Sequence, residues 1–313
     1  MIAGHGVTVD LADDAQVLCR QLPWQGRAAR LTLISRPPLI QENLLMTYEN
    51  YHDLKVEVAN KVAAVTLNRP EARNAINQRL IRELRTIWDD LADDMSVNAV
   101  LLTGAGDWFS VGGDVKAMSE RPGGDVLEEG EVHDPMISRR LVNRLLELDK
   151  PIVSAINGDC VGLAATIALL CDISVMADDA RIGDSHVNKV GLVAGDGGTV
   201  IWPLLIGVAK AKEFLMRGTL LKGKEAERIG LVGHVKPRSE VLPFARQIAQ
   251  ELADGPTWAT RWTKLSVNQI VKERVNHLLE ASMALEQVTF ELADHKEATQ
   301  AFKDKRKPCF GTA

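Results

Sequence analysis

Ile152-Val-Ser-Ala-Ile-Asn-Gly-Asp-Cys-Val-Gly-Leu-Ala-Ala-Thr-Ile-Ala-Leu-Leu-Cys-Asp-Ile-Ser-Val-Met-Ala177 carries two strands, a glycine loop and a helix in one unbroken run. Ile152–Ile156 and Ile173–Ala177 are short apolar segments rich in β-branched residues, as buried strands are. Leu163–Leu170 is apolar on every side, so it reads as a buried helix. The apolar run from Cys160 to Cys171 is stopped by Asp159 and Asp172 and is too short to span a bilayer. Strand, helix, strand in this order is the unit of an α/β protein.

The same alternation extends in both directions. Leu54–Ala59 and Val62–Leu67 read as a hairpin around Asn60-Lys61. Asn68-Arg69-Pro70 breaks the second strand. Ile76, Leu80, Ile81, Leu84, Ile87, Trp88 and Leu91 recur at helical spacing. Ala99–Thr103 is a further strand, and Ile137–Leu148 a helix. Pro122–Pro135 is acidic and aperiodic, which fits a surface loop; His133 and Asp134 in it carry no readable role. After about Ser239 the pattern is helical: Val241–Ala253, Thr257–Lys272 and Val275–Phe302. The expected organisation is a leader of uncertain status (1–47, with Met46 able to serve as a start), an α/β core (48–238) and a helical tail (239–313).

Composition fits a globular protein. Of 313 residues, 46% are hydrophobic and 25% charged, with net charge −5. That balance excludes a global basic field for nucleic acid, so an anionic ligand needs a local arrangement. Cys19, Cys160, Cys171 and Cys309 form no CxxC pair and no zinc spacing, which points to a reducing, cytoplasmic setting without a metal. No signal peptide is expected from the N-terminal pattern. Gly104-Ala105-Gly106 fails as a dinucleotide fingerprint, because Phe109 stands where its third glycine belongs. Gly183-Asp184-Ser185-His186-Val187 lacks the second glycine of a nucleophile elbow. Lys305-Arg306-Lys307 reads as a solvated helix end.

Three loops remain. Gly104–Asp114 ends in paired glycines, which let backbone N–H groups approach a ligand. Asn157–Ala165 leads into a helix N-terminus, with its free N–H donors. Gly183–Gly198 carries His186 and Asp196. Two donor loops with a His/Asp pair suggest an oxyanion hole served by acid–base groups.

In these segments the chain resembles the enoyl-CoA hydratase/isomerase (crotonase) superfamily. The match runs through Leu67-Asn-Arg-Pro-Glu-Ala-Arg-Asn-Ala-Ile-Asn77, Leu102–Gly106, Phe109–Asp114, Lys150–Gly158, Cys171-Asp172, Gly207–Glu213, Glu225–Val232 and Ala301–Pro308. The resemblance implies a spiral of ββα units with a C-terminal helical oligomerisation region, and a homotrimer or dimer of trimers. It also implies an acyl-CoA thioester substrate, as in fatty acid metabolism, with coenzyme A as part of the substrate and no separate cofactor, metal, membrane or nucleic-acid partner.

Carried over residue by residue, Gly113 and Leu163 match the two oxyanion-hole positions; the family usually has glycine at the second. Arg69, Arg73 and Lys116 match segments along the coenzyme A path, and Ala75, Gly112, Asp114 and Gly162 belong to the same substrate-binding segments. Hydratases use two glutamates on water; Thr166 and His186 occupy those positions here. Threonine does not titrate near neutral pH, whereas histidine serves as both acid and base. Val187–Gly191 is one residue longer than the usual spacing, which leaves the orientation of His186 open. Asp196 is either catalytic or the cap of the following helix, and Thr166 either assists or lines the pocket. Cys160 has no evident base and is not expected to be a nucleophile. His186, the Gly-Asp-Gly loop and Trp202-Pro203 also resemble 6-oxocamphor hydrolase, which cleaves a carbon–carbon bond of a β-diketone. The expected function is therefore an acyl-CoA enzyme working through a stabilised enolate, with a His in place of the usual Glu. The alternatives are a β-diketone C–C hydrolase and a catalytically silent binding member of the fold.

Overall fold

The computed structural model describes residues 46–116 and 136–311. All but the last two residues of the expected leader, and the Pro122–Pro135 loop, lie outside them. A six-stranded sheet has the order β1 (Leu54–Ala59), β2 (Val62–Leu67), β3 (Ala99–Gly104), β4 (Ile152–Ile156), β6 (Ile173–Ala177), β9 (His234–Lys236). β1 is antiparallel to β2; every later pairing is parallel. Asn60 and Lys61 both take positive φ, 50° and 65°, which is the two-residue hairpin turn that matches strand twist. β3 and β4 are buried along their whole length, as parallel strands covered on both faces are. A small second sheet joins β5 (Cys160–Val161), β7 (Arg181–Gly183) and β8 (Leu221–Lys222).

Helix α1 (Gln78–Asp93) starts at Asn77, whose side chain accepts the Leu80 N–H, and buries the apolar stripe read from sequence. Glu83 is the buried exception on that face. It accepts N–H bonds from His52, Asp53 and Leu54 at 2.8–2.9 Å. The other end of α1 is closed by Lys150, fully buried, whose ammonium donates to the carbonyls of Leu91, Ala92 and Asp94. Burial draws the Lys150 pKa down to about 8. Helices α2 (Ile137–Glu147) and α3 (Leu163–Leu170) follow, the second buried throughout. α4 (Gly198–Ile206), α5 (Val208–Arg217) and α6 (Gly223–Arg228) lead back to β9.

From Arg238 the chain is helical: α7 (Arg238–Asp254), α8 (Thr257–Glu291) and α9 (Ala293–Lys303). The expected break after Lys272 does not occur. Glu273-Arg274 interrupts the apolar spacing but contains no helix breaker, so α8 runs on until Leu292 turns extended (ψ 161°). Arg261 and Lys264 pin the start of α8 to the sheet, through Asp149, Val97, Asn98, Asp172 and the Lys150 carbonyl. No described helix is long and apolar enough to cross a membrane.

Candidate active site

β3 and β4 are parallel neighbours, so the loops that follow them leave from the same edge of the sheet, where open α/β sheets bind ligands. Asn157 ties the two loops together. Its amide donates to the carbonyls of Gly104 (3.0 Å) and Gly106 (2.8 Å) and accepts from the Gly104 N–H (3.2 Å). Ser110 and Val161 continue the contact, with Ser110 N–H on the Asp159 carbonyl and Val161 N–H on the Ser110 carbonyl. At Gly112, φ is +82° and a Cβ would lie 2.5 Å from the Val161 carbonyl oxygen. Only glycine permits that approach, and it sets Gly113 beside the segment that enters α3. Leu163 is the first residue of α3, and the first N–H groups of a helix have no partner within it. Gly113 and Leu163 both line a cavity of about 210 Å³.

His186 reaches the same cavity from a π-helical turn, His186–Val190. A π-turn holds one residue more than an α-helical turn: the N–H groups of Gly191 and Leu192 both point back to the His186 carbonyl. The ring lies against Gly162 (φ +60°), where a Cβ would meet Cε1 at 3.3 Å. Asp184 holds the ring: its Oδ1 accepts from the His186 backbone N–H (3.0 Å) and faces Nδ1 at 2.7 Å. Nε2 faces Asp196 Oδ2 at 3.5 Å and Glu286 Oε1, on α8, at 3.9 Å.

Three carboxylates around one buried imidazole set the charges. Burial penalises the imidazolium, but Asp184 and then Asp196 outweigh it and hold the His186 pKa well above its ordinary value. Burial works against Asp184 too, yet the His186 charge keeps its pKa low. Asp196 is raised to about 6 by burial, with His186 opposing. Glu286 is raised to about 8 by burial and by the Asp196 charge. Near neutral pH the set is an imidazolium between two carboxylates, with Glu286 neutral.

Asp184, His186 and Asp196 are the cluster with metal-ligand spacing among the described residues. One ligand atom from each lies within 4.8 Å of the others, while Asp184 faces Nδ1 and Asp196 faces Nε2 of the ring. Chemically, the arrangement can pass a proton between the ring and its carboxylate neighbours.

The residues 57–313 match the family model described as enoyl-CoA hydratase/isomerase. The chain belongs to the enoyl-CoA hydratase/isomerase family. It is 33% identical to a short-chain-enoyl-CoA hydratase of Clostridium acetobutylicum, over 80% of this chain and 95% of that protein. It is 35% identical to a putative enoyl-CoA hydratase of Thermus thermophilus, over 80% and 97%. A crystal structure of an enoyl-CoA hydratase/isomerase from Mycobacterium paratuberculosis superimposes with a TM-score of 0.73 at 31% identity, covering 79% of this chain and 97% of that one.

Within that family fold, Gly113, Asp114, Gly162, Leu163, His186 and Asp196 share one cavity. Arg69, Arg73, Ala75 and Lys116 line a second cleft of about 800 Å³, which meets the first at Gly113 and Asp114. Arg69 is committed to neighbours: it donates to the Ala75 carbonyl and pairs with Asp114 and Asp53. The Arg73 guanidinium lies 4.9 Å over the Trp108 ring. Thr166 is fully buried and lines neither cavity; its hydroxyl donates to Asp196 at 3.5 Å. The N-cap position of α4 is Gly197, but the Asp196 carboxylate accepts from the Gly198 N–H at the start of the helix, so it also serves that helix end. Cys160 is buried and its thiol is pushed well above its ordinary pKa, which fits no nucleophile.

Sequence reasoning missed Asp184 as the partner of His186, although the Asp-x-His spacing was available. It also missed Glu286. The signal there was a carboxylate on the buried stripe Leu279, Ser282, Met283, Glu286 of a long helix.

Proposed function

We propose that the chain hydrates an enoyl-CoA thioester, or runs the reverse dehydration, through an enolate, with Asp196 and His186 in place of the family's two glutamates. The observation that carries this reading is the shared cavity: His186 and Asp196 face each other at 3.5 Å beside Gly113 and Leu163. The thioester carbonyl accepts from the Gly113 and Leu163 N–H groups, which bind the enolate oxygen more strongly than the ground-state carbonyl. Losing one such donor costs about 3–4 kcal/mol of barrier. The Asp196 carboxylate takes a proton from water, whose oxygen bonds to the β-carbon. The His186 imidazolium gives its proton to the α-carbon. Thr166 steadies Asp196 from behind. The cleft of Arg69, Arg73, Ala75 and Lys116 receives the rest of coenzyme A, which is substrate; no metal or separate cofactor takes part. Free thiols at Cys160, Cys171 and Cys309 support a cytoplasmic setting.

The test is a panel of enoyl-CoAs of increasing length. Turnover that falls by about 10²–10⁴-fold in His186→Asn supports the reading; a panel with no turnover refutes it. The His186–Asp196 pair also favours a second reading, hydrolytic C–C cleavage of a cyclic β-diketone on the same hole. Turnover of diketones without coenzyme A, lost in His186→Asn, would select it over the first.

A further inference from the structure

We propose that Glu286, on α8, is a proton-relay residue that resupplies His186 Nε2 in each turnover. The proposal rests on the reading that His186 gives a proton to substrate. Glu286 is 9% exposed and its side chain lines the cavity. Oε1 lies 3.9 Å from Nε2, the ring nitrogen that also faces Asp196. Among the described residues no hydrogen bond holds the Glu286 carboxyl in a structural role, whereas Ser282 and Thr289 on the same helix are bonded, to Thr199 and to the Val193 N–H. Loop 192–197 packs directly on the Glu286 stem: a Cβ on Gly195 would lie 2.6 Å from its Cβ. The titratable groups around it are Asp184 from the end of β7, His186 and Lys189 from the π-turn, Asp196 from the loop before α4, and Asp114 from the loop after β3. α8 adds only Met283, Gln287 and Phe290 to the cavity wall.

Proton affinity rises from Asp196 to Glu286. Asp196 is set at about 6, Glu286 at about 8, and His186 is held well above its ordinary value. The cycle balances. Water gives a proton to Asp196 and its oxygen to the β-carbon. The Nε2–H bond breaks as the enolate pair forms the α-carbon–hydrogen bond. Glu286 O–H then breaks to restore Nε2–H, and the Asp196 proton passes to the Glu286 carboxylate. No outside reactant is consumed.

The test joins kinetics to titration of the free enzyme. Glu286→Gln, which keeps shape and polarity, is expected to lower kcat about 100-fold with KM within about twofold, and to shift the alkaline limb, leaving only the loss of activity set by His186 itself. Glu280→Gln, on the outer face of the same helix, is expected to change neither. Unchanged kcat and an unchanged alkaline limb in Glu286→Gln overturn the relay. Carbon NMR of carboxyl-labelled glutamate is independent of turnover: one resonance is expected to titrate near 8, and the Glu286→Asp variant identifies it even if the glutamine variant does not fold. A Glu286 resonance titrating near the ordinary 4.5 overturns the relay, whereas an inactive wild type with that resonance near 8 overturns only the hydration reading.

Discussion

At His186 a single side chain carries three interactions that decide its charge, and each is separable by substitution. Asp184 contributes most to keeping the ring protonated. In Asp184→Asn the burial that disfavours imidazolium is less opposed. The His186 pKa then falls, and a reaction that needs the imidazolium as acid loses activity at lower pH. The alkaline limb of kcat is expected to move down by about one pH unit or more, measured as a full pH–rate profile. An unmoved limb would mean that Asp184 only shapes the turn. Thr166 and His186 were legible by counting from the glycine anchors, because those positions are fixed by local sequence. Glu286 was not, because it reaches Nε2 only after α8 folds back over the cavity, far along the chain.

Secondary elements divide the same way between local and distant causes. The boundaries of β4, α3 and β6 could be read directly, since each is an apolar run soon stopped by a polar residue: Asn157, Asp172 and Asp178. The Asn60-Lys61 turn was equally local. The π-turn after His186 was visible only as one residue too many, and its conformation depends on what packs around it: a Cβ at Gly191 would touch the Asp294 backbone, and the His295 ring bonds the Val190 carbonyl. The end of α8 at Leu292 had no sequence mark. Lys150, read from sequence as part of a family motif, turns out to close the C-terminal end of α1 by gathering its last carbonyls. Lys150→Met removes the donor and leaves those carbonyls buried without a partner, which costs about 3 kcal/mol. Urea unfolding should report that loss; a midpoint equal to wild type would contradict the capping role.

The described molecule places its chemistry on one edge of a parallel sheet and closes it with its C-terminal helices. α8 contributes Met283, Glu286, Gln287 and Phe290 to the cavity wall. Elsewhere along α8, Trp258, Trp262, Val267, Ile270, Leu285 and Val288 are exposed. An apolar face of this extent fits subunit association, and with the family resemblance it supports a homotrimer or dimer of trimers as our proposal. Sedimentation equilibrium should give a trimer or hexamer mass that falls in a Trp262→Glu, Ile270→Lys double variant; a monomeric wild type would refute it. The acidic composition leaves any anion binding to local groups, and of the two arginines lining the second cleft Arg69 is paired with Asp53 and Asp114.

In the proposed hydration, a thioester enolate forms beside Gly113 and Leu163 and exchanges its proton with His186. Hydrogen–deuterium exchange at the α-carbon of a saturated acyl-CoA, followed by proton NMR in deuterated buffer over a pH series that extends to the neutral imidazole, reads that step in reverse without any net reaction. Exchange is expected with the wild-type enzyme, and its loss in His186→Asn. No exchange with any acyl-CoA, or undiminished exchange in the variant, would contradict it.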